Sequence, residues 1–390
     1  MAATVALAHD YATQRGGAER VALLLAEAFP GAPMHTTLYD PAGTFPGFAD
    51  LDLRTSALNR VGALRRHHRL ALPLLAPAVG RQRVDADVLV TSSTGWAHGY
   101  RGARRTVVYC HAPARWLYQT DRYLGPGGGR AAHRARRGLA RGAVATFGPA
   151  LRRWDVAAAH RADRYLANST VTRRAVQEAY GIEAEVLPPP PAMLPDGEMT
   201  AVPGVEPGFL LCVARLLPYK NVDVVVAAAL ATGRELVVVG DGPERDRLAA
   251  TTVRGPGTPG RVHLLGRVDD ARLRWLYAHA DVLVAASYED YGLSPLEAGA
   301  FGRPSVVLRD GGYLDTVVEG RTGIFFDAPS APLVADAIEA AAAHPWDDDA
   351  IKQHVAAFGA ERFVRRLREV VEDVWDAGGP VSAAHGGGRR

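Results

Sequence analysis

The chain has 390 residues, 48% apolar and 22% charged, which excludes a disordered or fibrous protein and leaves room for two or three domains. Its formal net charge of +3 hides a division, because residues 1–200 hold 25 arginines against 16 acids and the remainder 20 basic residues against 26 acids. Two cysteines, Cys110 and Cys212, are too few for a disulfide framework or a cysteine-built zinc site.

In chain order, Met1–Asp10 lacks the basic start of a secretory signal, so a cytoplasmic location is expected. Within it Thr4–Ala8 reads as a strand, followed by His9-Asp10, the pair Gly16-Gly17 and a helical pattern at Val21, Leu24, Leu25 and Ala28. The uncharged run Leu70–Gly80 is well short of the ~20 residues that cross a membrane. Short apolar runs at Val88–Thr91, Thr106–Cys110 and Arg164–Ala167 alternate with helix-like stretches, the pattern of a parallel α/β sheet. Pro188–Pro191, then Pro195, Pro203 and Pro207, mark a linker at 191–208, since proline continues neither a helix nor a central strand. The rhythm then restarts with strands at Phe209–Ala214, Glu235–Val239, Val262–Leu265, Val282–Ala285, Ser305–Leu308 and Gly323–Phe326. Helical patterns lie between them at Val222–Leu230, Asp246–Ala250, Ala271–His279, Pro295–Phe301 and Pro332–Ala343. Two doubly wound domains, 1–190 and 209–355, are therefore expected, with a ligand crevice between their strand C-terminal ends. A last amphipathic stretch, Ala350–Trp375, follows without a strand.

Four groups of residues carry candidate chemistry. Arg215 and Lys220 follow the strand Phe209–Ala214, and two cations on such a loop can clamp a diphosphate at about 1.5–3 kcal/mol per charge-assisted contact. Lys220 and Lys352 are the two lysines of an arginine-using chain, so a lysine here suggests a site for a compact point charge. Glu289 and Glu297 bracket Gly292, Leu293 and Ser294 on a loop that enters a helix. The loop N–H groups suit a phosphate and the two carboxylates suit sugar hydroxyls. The same residues also fit a capping box, with Ser294 as N-cap, Pro295 first in the helix and Glu297 the third-position acid. Gly16-Gly17 allows close backbone approach at a helix N-terminus. His111, in Tyr109-Cys110-His111-Ala112-Pro113, stands at a strand end where it can reach the crevice.

Two tempting motifs fail. Gly240-Asp241-Gly242 follows a strand, but Arg245 stands where a dinucleotide fingerprint needs its third glycine. His9, Asp10 and His111 could begin a metal site, yet nothing supplies a spaced further ligand, so no metal is expected. Arg101–Arg153 holds 12 arginines against the single acid Asp121, which suits an anionic surface or simply a solvated face. It shows no nucleic-acid reader motif, and the acidic second half would repel a duplex, so no nucleic acid is expected.

Together these residues resemble the retaining glycosyltransferases of family 4, which have the GT-B fold: two Rossmann-like domains facing across a cleft. The resemblance runs over nearly the whole chain and is densest from Phe209 to Phe326. Arg215 and Lys220 match the family's donor-diphosphate clamp, Glu289 and Glu297 its paired-glutamate motif, and Val238–Pro243, with Gly240, its glycine turn. Gly16-Gly17 matches the glycine loop near the donor phosphate, His111 the histidine near the reacting sugar, and Ala167–Thr170 the end of the N-terminal sheet. The resemblance implies a nucleotide-diphosphate sugar donor, Glu297 on the ribose, and Glu289 on the sugar. It also implies Arg215 and Lys220 on the leaving diphosphate, with no metal and no other cofactor. It further implies retention of configuration through an oxocarbenium-like transition state, and a C-terminal helix (about 356–376) that crosses back to the first domain. Tyr109–Tyr118 is similar to enzymes that use GDP-mannose on polysaccharide or lipid acceptors. Arginines interleaved with Trp116, Tyr118 and Trp154 would suit a lipid-linked acceptor at the inner membrane face. A UDP-sugar donor and a non-catalytic sugar-nucleotide sensor remain open. A phosphorylase would need a lysine for pyridoxal phosphate, and neither lysine stands in a matching context.

Overall fold

The computed structural model describes residues 3–119, 148–252 and 260–377; residues 120–147 of the arginine-rich stretch lie outside it. The first sheet contains β1 (Val5–His9), β2 (Met34–Thr36), β3 (Leu53–Thr55), β4 (Val88–Ser93), β5 (Arg105–Cys110), β6 (Arg164–Ala167) and β7 (Glu185–Val186). Their order is β3-β2-β1-β4-β5-β6-β7 and every pairing is parallel. The second contains β8 (Phe209–Val213), β9 (Leu236–Val239), β10 (Val262–Gly266), β11 (Ala280–Ala285), β12 (Ser305–Leu308) and β13 (Gly323–Phe326), also all parallel, in the order β10-β9-β8-β11-β12-β13. This is the two-domain GT-B architecture.

The strands read as continuous apolar runs because both faces of each sheet are covered. Along β1, Leu7 joins Val88, Val90 and Tyr109 under the helix Gly17–Ala28, whereas Ala6 and Ala8 face Ala71, Leu75 and Val79 of the helix His68–Arg81. In the second domain, Leu210 and Cys212 face the helices Val222–Thr232 and Ala331–Ala343; Phe209 and Leu211 face Leu276 and Tyr277. Both cysteines are buried thiols, not bridged to each other.

The amphipathic C-terminal stretch is not one helix. It forms Asp348–Ala356 and Ala360–Asp376, with Gly359 as the N-cap of the second. Ile351 of the first packs on Gly299 of the second domain. The second helix buries Phe363, Leu367, Val370, Val371 and Val374 in the core of the first domain. At roughly 1.5–3 kcal/mol per fully buried side chain, that face anchors the chain end firmly. Arg366 adds a two-pronged contact to Glu185 at 2.7 and 3.1 Å. β2, β3 and β7 went unpredicted because two or three residues are too few to show a period of two.

In each sheet the order reverses once, between β1 and β4 and between β8 and β11. Loops leaving adjacent strands there run to opposite faces and open a crevice. No helix among the described residues is long and apolar enough to cross a membrane.

Candidate functional site

The reversal in the second sheet places the Arg215–Lys220 loop, after β8, beside the Glu289–Glu297 loop, after β11. Asn221 adopts φ 51° and donates from Nδ2 to Ala286 O at 2.8 Å, tying the two loops together. Lys220, on the 3-10 turn Pro218–Lys220, pairs with Glu289, whose Oε1 also accepts from Ser287 Oγ at 2.5 Å. Burial pulls the Glu289 carboxyl upward, but the Lys220 ammonium and these hydrogen bonds outweigh it and hold it below the ordinary value. Lys220 is therefore the carboxylate's partner in this structure, while Arg215 is exposed and makes no ion pair with a described residue.

The capping-box expectation is corrected. The helix runs Leu293–Ala300 with Gly292 as N-cap, so Ser294 is its second residue and no side chain caps it. Gly292 has φ 85°, and a Cβ there would meet the Tyr313 ring at 2.6 Å, which requires glycine twice over. Glu297 instead accepts from Tyr277 Oη at 2.8 Å, and the backbone at Ala192 and Met193 also favours its ionised form. Burial nevertheless raises its pKa. Gly240 and Gly242 lie tight against the loop after β8: a Cβ on them would come 1.9 Å from Ala214 O and 2.4 Å from Leu216 O. They let the turn after β9 support the loop that carries Arg215.

Across the cleft, the helix Gly17–Ala28 points its N-terminus at these loops. A Cβ on Gly17 would stand 3.1 Å from Leu293 Cδ1, the charge of Arg215 acts on Glu19, and that of Arg20 on Glu297. Glu19 is 1% exposed, its Oε2 has no hydrogen-bond partner among the described residues, and its pKa is pushed up to about 7, mainly by burial.

His111 follows β5 and is buried. Its Nε2 lies 2.8 Å from Ser92 Oγ, and His9 Nδ1 lies 3.0 Å from the same hydroxyl and 3.2 Å from Ser92 O. A carbonyl only accepts, so His9 Nδ1 carries hydrogen; the Ser92 hydroxyl, with one hydrogen and two lone pairs, links the two imidazole rings. Burial, with help from His9 and Arg115, pushes the His111 pKa down to about 3. Asp10 accepts from Thr94 Oγ1 and from the N–H groups of Thr94, Trp96 and Ala97. Among the described residues no cluster of three or more His, Cys, Asp or Glu side chains could hold a metal. Trp116 and Trp154, both partly buried, pack edge-on to buried Trp96 at 5.3 and 5.4 Å, and partly buried Tyr118 packs on Tyr180 at 5.8 Å, so one side of each ring joins the core.

Several cross-cleft contacts escaped the sequence reading. Arg115 pairs with Asp290, and Ser169 Oγ donates to Asp290 O at 2.5 Å. Thr170 donates from N and Oγ1 to Asp315 at 2.7 and 2.6 Å, placing a carboxylate at the N-terminus of the helix Thr170–Tyr180. Ser169-Thr170 has the look of a helix start, but nothing local to Arg115, Asp290 or Asp315 announces a partner. Gly311-Gly312 was overlooked too; a Cβ on Gly311 would stand 2.4 Å from Glu289 O, so this pair cradles the Glu289 loop.

Residues 15–190 match the model described as Glycosyltransferase Family 4, and residues 202–356 that of Glycosyl transferases group 1. A glycogen synthase of Pseudomonas aeruginosa is 34% identical over 143 residues, 35% of this chain and 28% of that protein. A D-inositol 3-phosphate glycosyltransferase 2 of Catenulispora acidiphila is 33% identical over 137 residues, 30% of this chain and 31% of that protein. The chain thus spans under a third of the length of either relative. Anabaena Alr3699/HepE, solved with UDP and glucose, superposes with a TM-score of 0.64 at 18% identity, covering 95% of this chain and 100% of that one. Sucrose-phosphate synthase from Thermosynechococcus elongatus gives 0.65 at 18%, covering 96% and 99%. At that identity the likeness shows the GT-B fold. Each half of this chain matches a glycosyltransferase domain model, the first that of family 4.

Proposed function

We propose that this chain, of the family 4 glycosyltransferase type, moves a hexose from a nucleotide-diphosphate sugar to an acceptor hydroxyl. The observation that carries the reading is the crevice itself: Arg215, the Lys220–Glu289 pair and Glu297 on one side, and the N-terminus of the helix Gly17–Ala28 directly opposite. The diphosphate lies between Arg215 and the Gly16-Gly17 turn, near Lys220; Gly292, Leu293 and Ser294 close around the nucleotide side, where Glu297 meets the ribose. Glu289, kept ionised by Lys220, accepts from the hexose hydroxyls.

As the glycosidic bond breaks, negative charge grows on the leaving phosphate and positive character on the sugar ring. Arg215 and Lys220 stabilise the first, in place of a metal ion. His111 is neutral at physiological pH, and its Nε2 is already engaged with Ser92 Oγ, which argues against a general base and for a dipole beside the sugar. Retention follows if the departing phosphate oxygen takes the acceptor's proton on the same face, as the resemblance implies. The solved neighbour holding UDP and glucose favours a UDP-sugar, and the likeness of Tyr109–Tyr118 favours GDP-mannose. The acceptor, a glycan, lipid-linked or small molecule, rests against the N-terminal domain; with one side of each of Trp116, Tyr118 and Trp154 packed inward, contact with an anionic membrane falls mainly to the arginines.

The test is a thermal-shift panel of UDP-, GDP-, ADP- and dTDP-sugars followed by transfer assays on the binder. A donor at 100 times its Kd adds about 2.7 kcal/mol of stability. Binding of none overturns the reading, and binding without turnover on any acceptor makes the protein a sensor.

A further inference from the structure

A glutamate in the third position of a helix is ordinarily a solvated, ionised acid in the field of the helix N-terminus. Glu19 holds that position in the helix Gly17–Ala28 but is 1% exposed. Gln14 and its own backbone N–H give it hydrogen bonds, yet Oε2 has no partner among the described residues. That oxygen is pressed against the glycine turn, since a Cβ on Gly16 would stand 2.6 Å from it. The helix N-terminus is equally incomplete, because Gly16 as N-cap offers no side-chain cap. A buried acceptor oxygen without a donor and a helix N-terminus without an N-cap side chain thus share the turn that faces Leu293 and Arg215 across the cleft.

We propose that Glu19 is a proton-carrying ligand for the donor's diphosphate: it takes up one proton from solvent as the sugar nucleotide binds, and its O–H donates to a phosphate oxygen at the Gly16-Gly17 turn. This rests on the reading of the crevice as a sugar-nucleotide site. An ionised carboxylate and a phosphate oxygen are both acceptors and repel; a carboxylic acid supplies the missing hydrogen. Two charged groups act on the Glu19 carboxyl, and a third beside it acts elsewhere. Arg215, from the loop after β8, favours the ionised form; Asp10, at the end of β1, opposes it. Arg20, next on the helix, is engaged with the Phe45 ring at 4.6 Å and directs its charge to Glu297. With burial the largest influence, the carboxyl titrates at about 7, so both forms are present near neutral pH. A bound diphosphate adds negative charge and neutralises Arg215, and both effects favour the protonated acid. No covalent bond changes; the complex simply holds one more proton than its separate parts.

The experiment is calorimetric titration of the full chain with UDP-glucose and with GDP-mannose, whose esterified diphosphates do not titrate between pH 5.5 and 9. Run at pH 8 in two buffers of different ionisation enthalpy, it should show uptake approaching one proton per donor, falling toward zero at pH 5.5. Kd should be flat below pH 6.5 and weaken roughly tenfold per pH unit above 7. Glu19→Gln keeps an N–H donor and the shape but cannot titrate, so its uptake should vanish and its Kd lose the pH dependence, binding at pH 8 at least as tightly as the wild type. Donor binding without proton uptake in the wild type, which needs no variant, overturns this inference alone, as does an unchanged pH profile in Glu19→Gln. Failure of both donors to bind at any pH overturns it together with the functional reading.

Discussion

On the C-terminal side of the cleft, polar side chains come in pairs: Lys220 and Ser287 with Glu289, Tyr277 with Glu297. On the N-terminal side several are buried with an atom unmatched among the described residues, Glu19 through Oε2 and His9 through Nε2. The two sides share one topology, with site loops at the strand-order reversal of each sheet. They differ in what sets the charge, except at Glu297, whose pKa burial raises despite its partner. Partners hold Glu289 ionised, whereas burial holds His111 neutral and keeps Glu19 near its midpoint. A paired group keeps its charge over a wide pH range; a group governed by burial changes state when a ligand arrives.

The largest effect should come from breaking the paired side. Glu289→Ala should lower kcat by roughly 10²–10³-fold, with donor Kd changed by only about threefold, as removal of a transition-state contact does. Parallel loss of donor binding would make Glu289 a structural residue instead. Lys220→Ala should cost about 10–100-fold in kcat/KM, consistent with one charge-assisted contact. Lys352→Ala, whose half-exposed ammonium meets exposed Asp349, should leave activity unchanged. Equal effects of the two lysine variants would remove the pairing from the mechanism.

The burial side should reveal itself in acid. The folded pKa of His111 lies below that of an unfolded imidazole, so the unfolded chain binds more protons between about pH 3 and 6.5. The His111 contribution is complete above pH 6.5 and is lost as pH falls, at up to about 1.4 kcal/mol per unit. Urea melts across pH 4–7 should show a shallower decline in His111→Gln than in the wild type. The smallest expected effect is none at all: EDTA should leave transfer undiminished if Arg215 and Lys220 take the leaving group's charge as proposed. A strict metal requirement would transfer that role from Arg215 and Lys220 to an ion.

Much of this was legible in residue order. Apolar runs of four to six residues between turn signals announced most strands, and the Pro188–Pro191 cluster announced the break between sheets. Arg215, Lys220, Glu289 and Glu297 stood out because reactive types sat just past strand ends, where crevices form. The capping box misled because Ser294-Pro295 imitates a helix start, while the actual start was decided by Gly292, whose positive φ and contact with Tyr313 a local pattern cannot reveal.

What the order of residues determined by itself was the alternation of strand and helix, hence two parallel sheets and the loops that carry the candidate chemistry; period and turn chemistry are local properties. Only the tertiary structure decided who meets whom. Lys220 and Glu289 are 69 positions apart, Thr170 and Asp315 145, and no short-range signal joins them. It also decided protonation, because a carboxyl or imidazole answers to the water and charges around it, and the fold alone removes the one and brings up the other.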